Sequence, residues 1–296
     1  YSAAYFNTKA ALFLSERKVH TLTFTPKNNT KRIWIHCASL GEFDQALPVI
    51  SELKKQENTE IFISFFSPSG YRQVADRSKY ADLHFFYLPL DLPSKVKFLI
   101  ESLNPDLVLF VKYELWQNLL KELYIRKIPV YLFSAYFHER QAYFKFPFRK
   151  FYQRIFSMFS GIYVLNDESK NLLIEKKIGV PIIVTGDTRM AQCIHNTEES
   201  YSDRIIEDFC RQNPTIICGS TWPIDEKLIA EFSKIDDAHN FLIAPHRISE
   251  KHLLQIEKLF PESIRYTQAR ESKPSRILIL DTIGALKYAY RFGMIA

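Results

Sequence analysis

Runs of consecutive apolar residues recur along this chain. Between them, apolar positions fall three and four residues apart. The runs at 33–36, 60–64, 84–87, 107–111, 130–133, 161–165 and 182–184 predict strands, and the segments 47–55, 94–103, 114–123 and 169–177 predict amphipathic helices. The strands are continuously apolar rather than alternating, as expected of strands covered on both faces. Strand and helix in strict succession predict βαβ units around a parallel sheet.

A polar stretch, 192–203, interrupts this rhythm and contains His195-Asn196-Thr197-Glu198-Glu199-Ser200. A second α/β series follows, with strands at 215–218, 240–244 and 276–280 and helices at 222–233 and 249–259. The expected organisation is two Rossmann-like domains, 1–195 and 196–296, and the second reads as incomplete. A length of 296 residues suits two domains.

Composition narrows the class. Hydrophobic residues at 47% and charged residues at 24% describe a globular chain. The net charge of +6 favours anionic partners, but no nucleic-acid motif accompanies it. Cys37, Cys193, Cys210 and Cys218 have no paired spacing and read as reduced thiols. No apolar run reaches the roughly 18–20 residues of a membrane span. The chain starts at Tyr1 rather than Met, which leaves room for a preceding segment.

Polar groups collect where strands end. Glu42, in Ser39-Leu40-Gly41-Glu42, is either a first-turn carboxylate favoured by the helix dipole or a general base at the sheet edge. Glu114, in Lys112-Tyr113-Glu114-Leu115-Trp116-Gln117-Asn118, follows another strand, either as a helix cap beside a core Trp or as a further polar group at a functional sheet edge. Phe65-Phe66-Ser67-Pro68-Ser69-Gly70-Tyr71 offers hydroxyls to a ligand or to a helix cap. Gly219-Ser220-Thr221-Trp222-Pro223 opens a helix, either as a one-phosphate site or as an ordinary capped start. Arg247, in Ala244-Pro245-His246-Arg247, is placed to neutralise an anion. From Tyr136 to Arg154, cations including Lys145 and Arg149 alternate with aromatics, as a basic helix over an aromatic core or as a lipid-facing surface. No D-x-D, metal-ligand cluster, GxSxG or Walker A motif occurs.

In combination and in order, WIHCASLGEF (34–43), SPSGY (67–71), YLPLDLP (87–93), ELWQN (114–118), GD (186–187), GSTWPIDE (219–226) and DTIGALKYAY (281–290) resemble the 3-deoxy-D-manno-octulosonic acid (Kdo) transferases of lipopolysaccharide biosynthesis. The resemblance implies a GT-B fold, with an acceptor-binding first domain and a CMP-sugar-binding second domain facing a cleft. It implies inverting transfer of Kdo from CMP-Kdo to a lipid A precursor (lipid IVA), with no metal or other cofactor. Glu42 would be the base. Ser39, Gly41, Ser67, Ser69, Glu114, Lys145 and Arg149 would serve the acceptor, and Gly219, Ser220, Thr221 and Arg247 the donor. The protein would work at the cytoplasmic face of the bacterial inner membrane, peripherally or through a preceding anchor. The alternatives are a UDP-sugar-dependent GT-B transferase or epimerase, and a two-domain sugar-binding protein.

Overall fold

The structure, a computed structural model, describes residues 24–74, 80–191, 203–269 and 275–295, without the side chain of Ser69. The chain divides into two compact units, 1–192 and 193–296. The expected boundary between residues 195 and 196 and the second cysteine, Cys193, lie outside the described residues.

The first unit is built on a parallel seven-stranded sheet ordered β3-β2-β1-β4-β5-β6-β7. Its strands are β1 (Lys31–Cys37), β2 (Thr59–Phe65), β3 (His84–Tyr87), β4 (Leu107–Val111), β5 (Val130–Ala135), β6 (Gly161–Val164) and β7 (Ile182–Val184). Each apolar run named above forms one of them, because every strand except the short β7 has both faces covered. Alternation along β1 sends Ile33, Ile35 and Cys37 into one core, with Phe43, Ile50, Ile61 and Ile63. Trp34 and His36 point the other way; Trp34 joins Phe62, Phe86, Phe110 and Leu132 in the opposite core. The strand order reverses between β1 and β4, so a crevice opens beyond their carboxyl ends.

Helices α1 (Leu40–Leu53), α2 (Pro68–Val74), α3 (Pro93–Leu103), α4 (Gln117–Ile125), α5 (Arg149–Phe156) and α6 (Asp167–Glu175) cover the faces. Two boundaries differ from expectation. The helix predicted from residue 47 begins at Leu40, so Gly41 and Glu42 occupy its first turn rather than a preceding turn. The helix predicted from residue 114 begins at Gln117, because the Asp91 carboxylate accepts from the N–H groups of Asn118 and Leu119, both at 2.9 Å, and caps it there. Lys112 to Trp116 are thereby left as a loop. Asp91 belongs to YLPLDLP and Asn118 to ELWQN, so one cap joins two motifs. Gly70 joins two helices in the same way. A Cβ there would lie 2.9 Å from Leu40 N and from the Phe65 ring. Only glycine lets α2 pack against the start of α1.

The second unit has a parallel four-stranded sheet ordered β10-β11-β9-β8, from β8 (Thr215–Thr221), β9 (Asn240–Pro245), β10 (Ile264–Arg265) and β11 (Ile277–Ile279). Helices α7 (Arg204–Gln212), α8 (Pro223–Ser233), α9 (Glu250–Leu259) and α10 (Leu286–Ala289) accompany it. The two-residue β10 and the heavily charged α7 went unanticipated, whereas α5 gives a helix within the basic–aromatic stretch and α2 one that begins within SPSGY. Beyond α10 the chain returns to the free side of β8, where Ile217 N–H donates to Ile295 O and Met294 N–H to Thr215 O, both at 2.8 Å.

Candidate active site

The crevice of the first unit is flanked by two carboxylates, Glu42 after β1 and Glu114 after β4. Glu42 is half-buried, and its Oε2 accepts from Ala38 N–H at 2.5 Å. Burial raises its carboxyl above the ordinary glutamate range, and the charge of Glu114 raises it further. The Ala38 N–H, His36 and Lys112 pull the other way. Glu42 is thus both a first-turn residue tied to the backbone and a carboxylate tuned towards accepting a proton.

Glu114 is held from below. Its Oε2 accepts from Trp116 Nε1–H at 2.5 Å and faces His36 Nε2 at 3.2 Å. The other ring nitrogen, Nδ1, lies 2.8 Å from Ser64 Oγ, which also accepts from Trp34 Nε1–H at 2.7 Å. A carboxylate only accepts, so His36 Nε2 carries the proton and Nδ1 receives the hydroxyl hydrogen of Ser64. Trp34, Ser64, His36, Glu114 and Trp116 form one chain, of which the first three are buried inside the sheet. The adjacent Cys37 is also buried, and burial pushes its thiol well up, so it stays protonated.

Around this pair, Ser39 precedes α1 and makes no side-chain cap there. Gly41 is exposed, with no atom within 4 Å of where a Cβ would stand. Ser67 N–H donates to Ala38 O at 2.8 Å, joining the SPSGY loop to the Glu42 loop. Lys145 and Arg149 lie farther along the chain, at and before α5, and both are exposed. There Phe146 is 95% exposed, Phe148 53% and Phe151 41%, whereas Tyr143, Phe144 and Phe156 pack on Phe137 and Tyr152 on Tyr143. The segment is therefore part core and part exposed apolar–cationic surface.

Sequence reasoning missed a cavity of about 390 Å³ at this same sheet edge. It is lined by residues following four neighbouring strands, among them Lys112, Tyr136, Asn166 and Arg189, and by Gln45 of α1. Its signal lay in the backbone. Lys112 and Ser134, at the ends of β4 and β5, have φ of 64° and 53°, left-handed values uncommon for such residues.

In the second unit, the GSTWPIDE segment is the end of a strand rather than a free loop. Gly219 lies in β8, where a Cβ would stand 2.0 Å from the Tyr290 hydroxyl, so any other residue would have to displace the Tyr290 side chain. Ser220 is exposed in a left-handed bulge at φ 55°. Thr221 is buried and its hydroxyl donates to Glu226, which leaves its side chain spent within the protein. The Asp225 carboxylate accepts from Trp222 N–H at 2.8 Å, as in an ordinary helix start. Trp222 stacks on His246 with ring centroids 4.5 Å apart, and the Arg247 guanidinium lies 5.5 Å from the indole. Ser220 and Arg247 are thus exposed on adjacent strand ends. Glu226 and His252 are buried behind them; His252 Nε2 faces Glu226 at 3.0 Å and Nδ1 faces Arg247 O at 2.8 Å.

Residues 14–192, more than half of the chain, match the family model described as 3-deoxy-D-manno-octulosonic-acid transferase (kdotransferase). The chain belongs to this family. Among similar proteins, the 3-deoxy-D-manno-octulosonic acid transferase of Haemophilus influenzae is 36% identical over 113 residues, 37% of this chain and 26% of that protein. The Kdo transferase of Aquifex aeolicus is 36% identical over 118 residues, 38% of this chain and 31% of that protein. The chain thus spans well under two thirds of the length of these relatives. Among solved structures, UDP-GlcNAc 2-epimerase from Neisseria meningitidis bound to UDP-GlcNAc superposes with a TM-score of 0.61 at 16% identity, covering 88% of this chain and 74% of that one. That likeness shows the fold, the Rossmann-like α/β architecture of the GT-B class.

Three of the residues in the hydrogen-bonded chain that holds Glu114, namely Trp34, His36 and Ser64, escaped sequence reasoning. They sit inside apolar strands and look like core. The only signal was an imidazole within WIHC, an unusual residue for a strand covered on both faces.

Proposed function

We propose that the protein transfers Kdo from CMP-Kdo to a hydroxyl of a lipid A precursor, lipid IVA, with inversion and without a metal ion. The observation that carries this reading is Glu42: a carboxylate at the crevice between β1 and β4, its proton affinity raised by burial and by Glu114. Family membership supplies the substrate class.

In this mechanism the acceptor hydroxyl lies against Ser39, Gly41 and the Ser67–Ser69 loop. Glu42 takes its proton as the oxygen attacks the anomeric carbon of Kdo. The new C–O bond forms opposite the breaking bond to the CMP phosphate, which leaves as an anion. Gly219, Ser220 and Thr221, through backbone groups and the Ser220 hydroxyl, together with Arg247, receive that charge in place of a metal. Lys145, Arg149 and the exposed phenylalanines beside them meet the anionic lipid surface at the cytoplasmic face of the inner membrane.

The test is Kdo transfer from CMP-Kdo to lipid IVA by the full-length protein in EDTA, with and without Glu42→Ala. Transfer by the parent and a loss of roughly 100-fold or more in a folded variant are expected, the usual scale of general base catalysis. A well-folded parent that transfers nothing would sink the reading.

A further inference from the structure

The cavity beside Glu42 has no occupant in the mechanism just described, and its lining is selective. It opens at the carboxyl ends of β4, β5, β6 and β7 and includes Gln45, one helical turn beyond Glu42. Its volume, about 390 Å³, is at the small end for ligand pockets and suits one sugar ring better than a whole nucleotide.

The charges in it are arranged for an anion. Arg189 is fixed by Asp187, whose Oδ2 accepts from Nε at 2.8 Å and from Nη2 at 2.5 Å. To a lesser degree than Arg189, Gln45 also favours the ionised form of Asp187, whose carboxyl is held below the usual range. The buried Oε1 of Gln45 has no hydrogen-bond partner among the described residues. The side-chain oxygen of Asn166 is committed, accepting from Ser169 N–H at 3.0 Å. Lys112 differs from these. Its ammonium forms no ion pair with any described residue, and its backbone is held at φ 64°. The neighbouring strand end, Ser134, is similarly left-handed. Strain of this kind persists where the surrounding structure enforces it, most often at ligand sites. The lining therefore holds two cations against one carboxylate, and that carboxylate is already spent on one of the cations.

We propose that this cavity binds the oxyanion substituent of a sugar ring, a carboxylate or a phosphate ester, with Lys112 as its counter-charge and Arg189, braced by Asp187, as a second donor. The inference rests on the sugar-transfer reading for its sources. The carboxylate would be that of the transferred acid sugar, and the phosphate that of the lipid acceptor.

Saturation-transfer NMR with the full-length protein tests this without turnover. The probes are Kdo, glucosamine phosphate and neutral N-acetylglucosamine. Lys112→Asn removes the charge while keeping a residue that tolerates left-handed φ, and Lys112→Arg retains the charge. At least one acid should bind the parent, with the neutral sugar silent. Lys112→Asn should weaken that binding by roughly 10- to 100-fold, the loss of one charge-assisted hydrogen bond, and Lys112→Arg should largely restore it. Kdo alone responding identifies the transferred sugar as the source; glucosamine phosphate alone identifies the acceptor. Arg189→Gln, at an exposed side chain, should weaken the same acid and serves if Lys112→Asn does not fold. Acid binding that is absent, or indifferent to both substitutions, overturns the site. Lysine-dependent acid binding without Kdo transfer would leave the site standing and remove the transferase reading. Transfer by the parent with Lys112→Asn binding unimpaired would do the reverse.

Discussion

Glu42 is asked to be a stabilising first-turn carboxylate and a poised base, and these demands conflict. Its proton affinity in the fold exceeds that of an ordinary glutamate. Ionising it therefore costs folding energy. That cost is absent below the ordinary glutamate range, grows as pH rises through the elevated native value, and is complete above it. Glu42→Gln keeps an acceptor for Ala38 N–H and removes the charge. It should raise the unfolding temperature near neutral pH, show no gain at a pH acid enough to protonate glutamate in both states, and cut transfer by roughly 100-fold or more. Thermal melts across pH, beside the transfer assay, read both effects; a variant no more stable than the parent at pH 7 would contradict the tuning. Glu114→Gln makes the complementary point. It removes the charge that raises Glu42, so the acid limb of the pH–rate profile should move to lower pH, and an unmoved limb would uncouple the two carboxylates. At this scale the sequence exposed Glu42 and Glu114, because they stand in polar segments just beyond the ends of apolar strands. It concealed His36 and Ser64, because a polar residue inside an apolar strand gives no periodic signal.

Elements explain why those segments stay still. The close approach of α2 to α1 at Gly70 and the Asp91 cap on α4 fix the segments bearing Ser39–Glu42 and Lys112–Trp116. Two glycine substitutions separate framework from site. Gly70→Ala puts a methyl 2.9 Å from Leu40 N and should cost about 1–3 kcal/mol in urea unfolding, as overpacking does. Gly41→Ala meets nothing within 4 Å in a helical first turn, and should leave stability unchanged or raise it by up to about 1 kcal/mol. It should nevertheless depress transfer, because its methyl enters the space proposed for the acceptor; full activity in Gly41→Ala would move the acceptor elsewhere. The long apolar strands were all legible, since burial on both faces leaves a continuous run. Helix starts were less so: the cap that sets the start of α4 comes from Asp91, 26 residues earlier than Gln117, and no local pattern announces it.

Across the whole molecule, the net charge of +6 and the exposed phenylalanines beside Lys145 and Arg149 give an apolar–cationic surface. No helix among the described residues is long and apolar enough to cross a membrane. Co-sedimentation with phosphatidylglycerol vesicles should fall by roughly 30-fold in apparent affinity when Lys145 and Arg149 are both changed to Ala, at about 1 kcal/mol per cation, and should weaken with added salt. Binding that is equal on neutral phosphatidylcholine vesicles would assign the surface another partner. The return of residues 294 and 295 to the free side of β8 has a further consequence, for the order of events during synthesis. The first sheet is complete in the segment 31–184, whereas β8 waits some 75 residues for its second neighbour. Contacts that distant along the chain form slowly, and domains fold as they emerge from the ribosome. The half bearing Glu42 is therefore able to fold while the half bearing Arg247 is still being made, and a ribosome paused near residue 250 would display the first without the second.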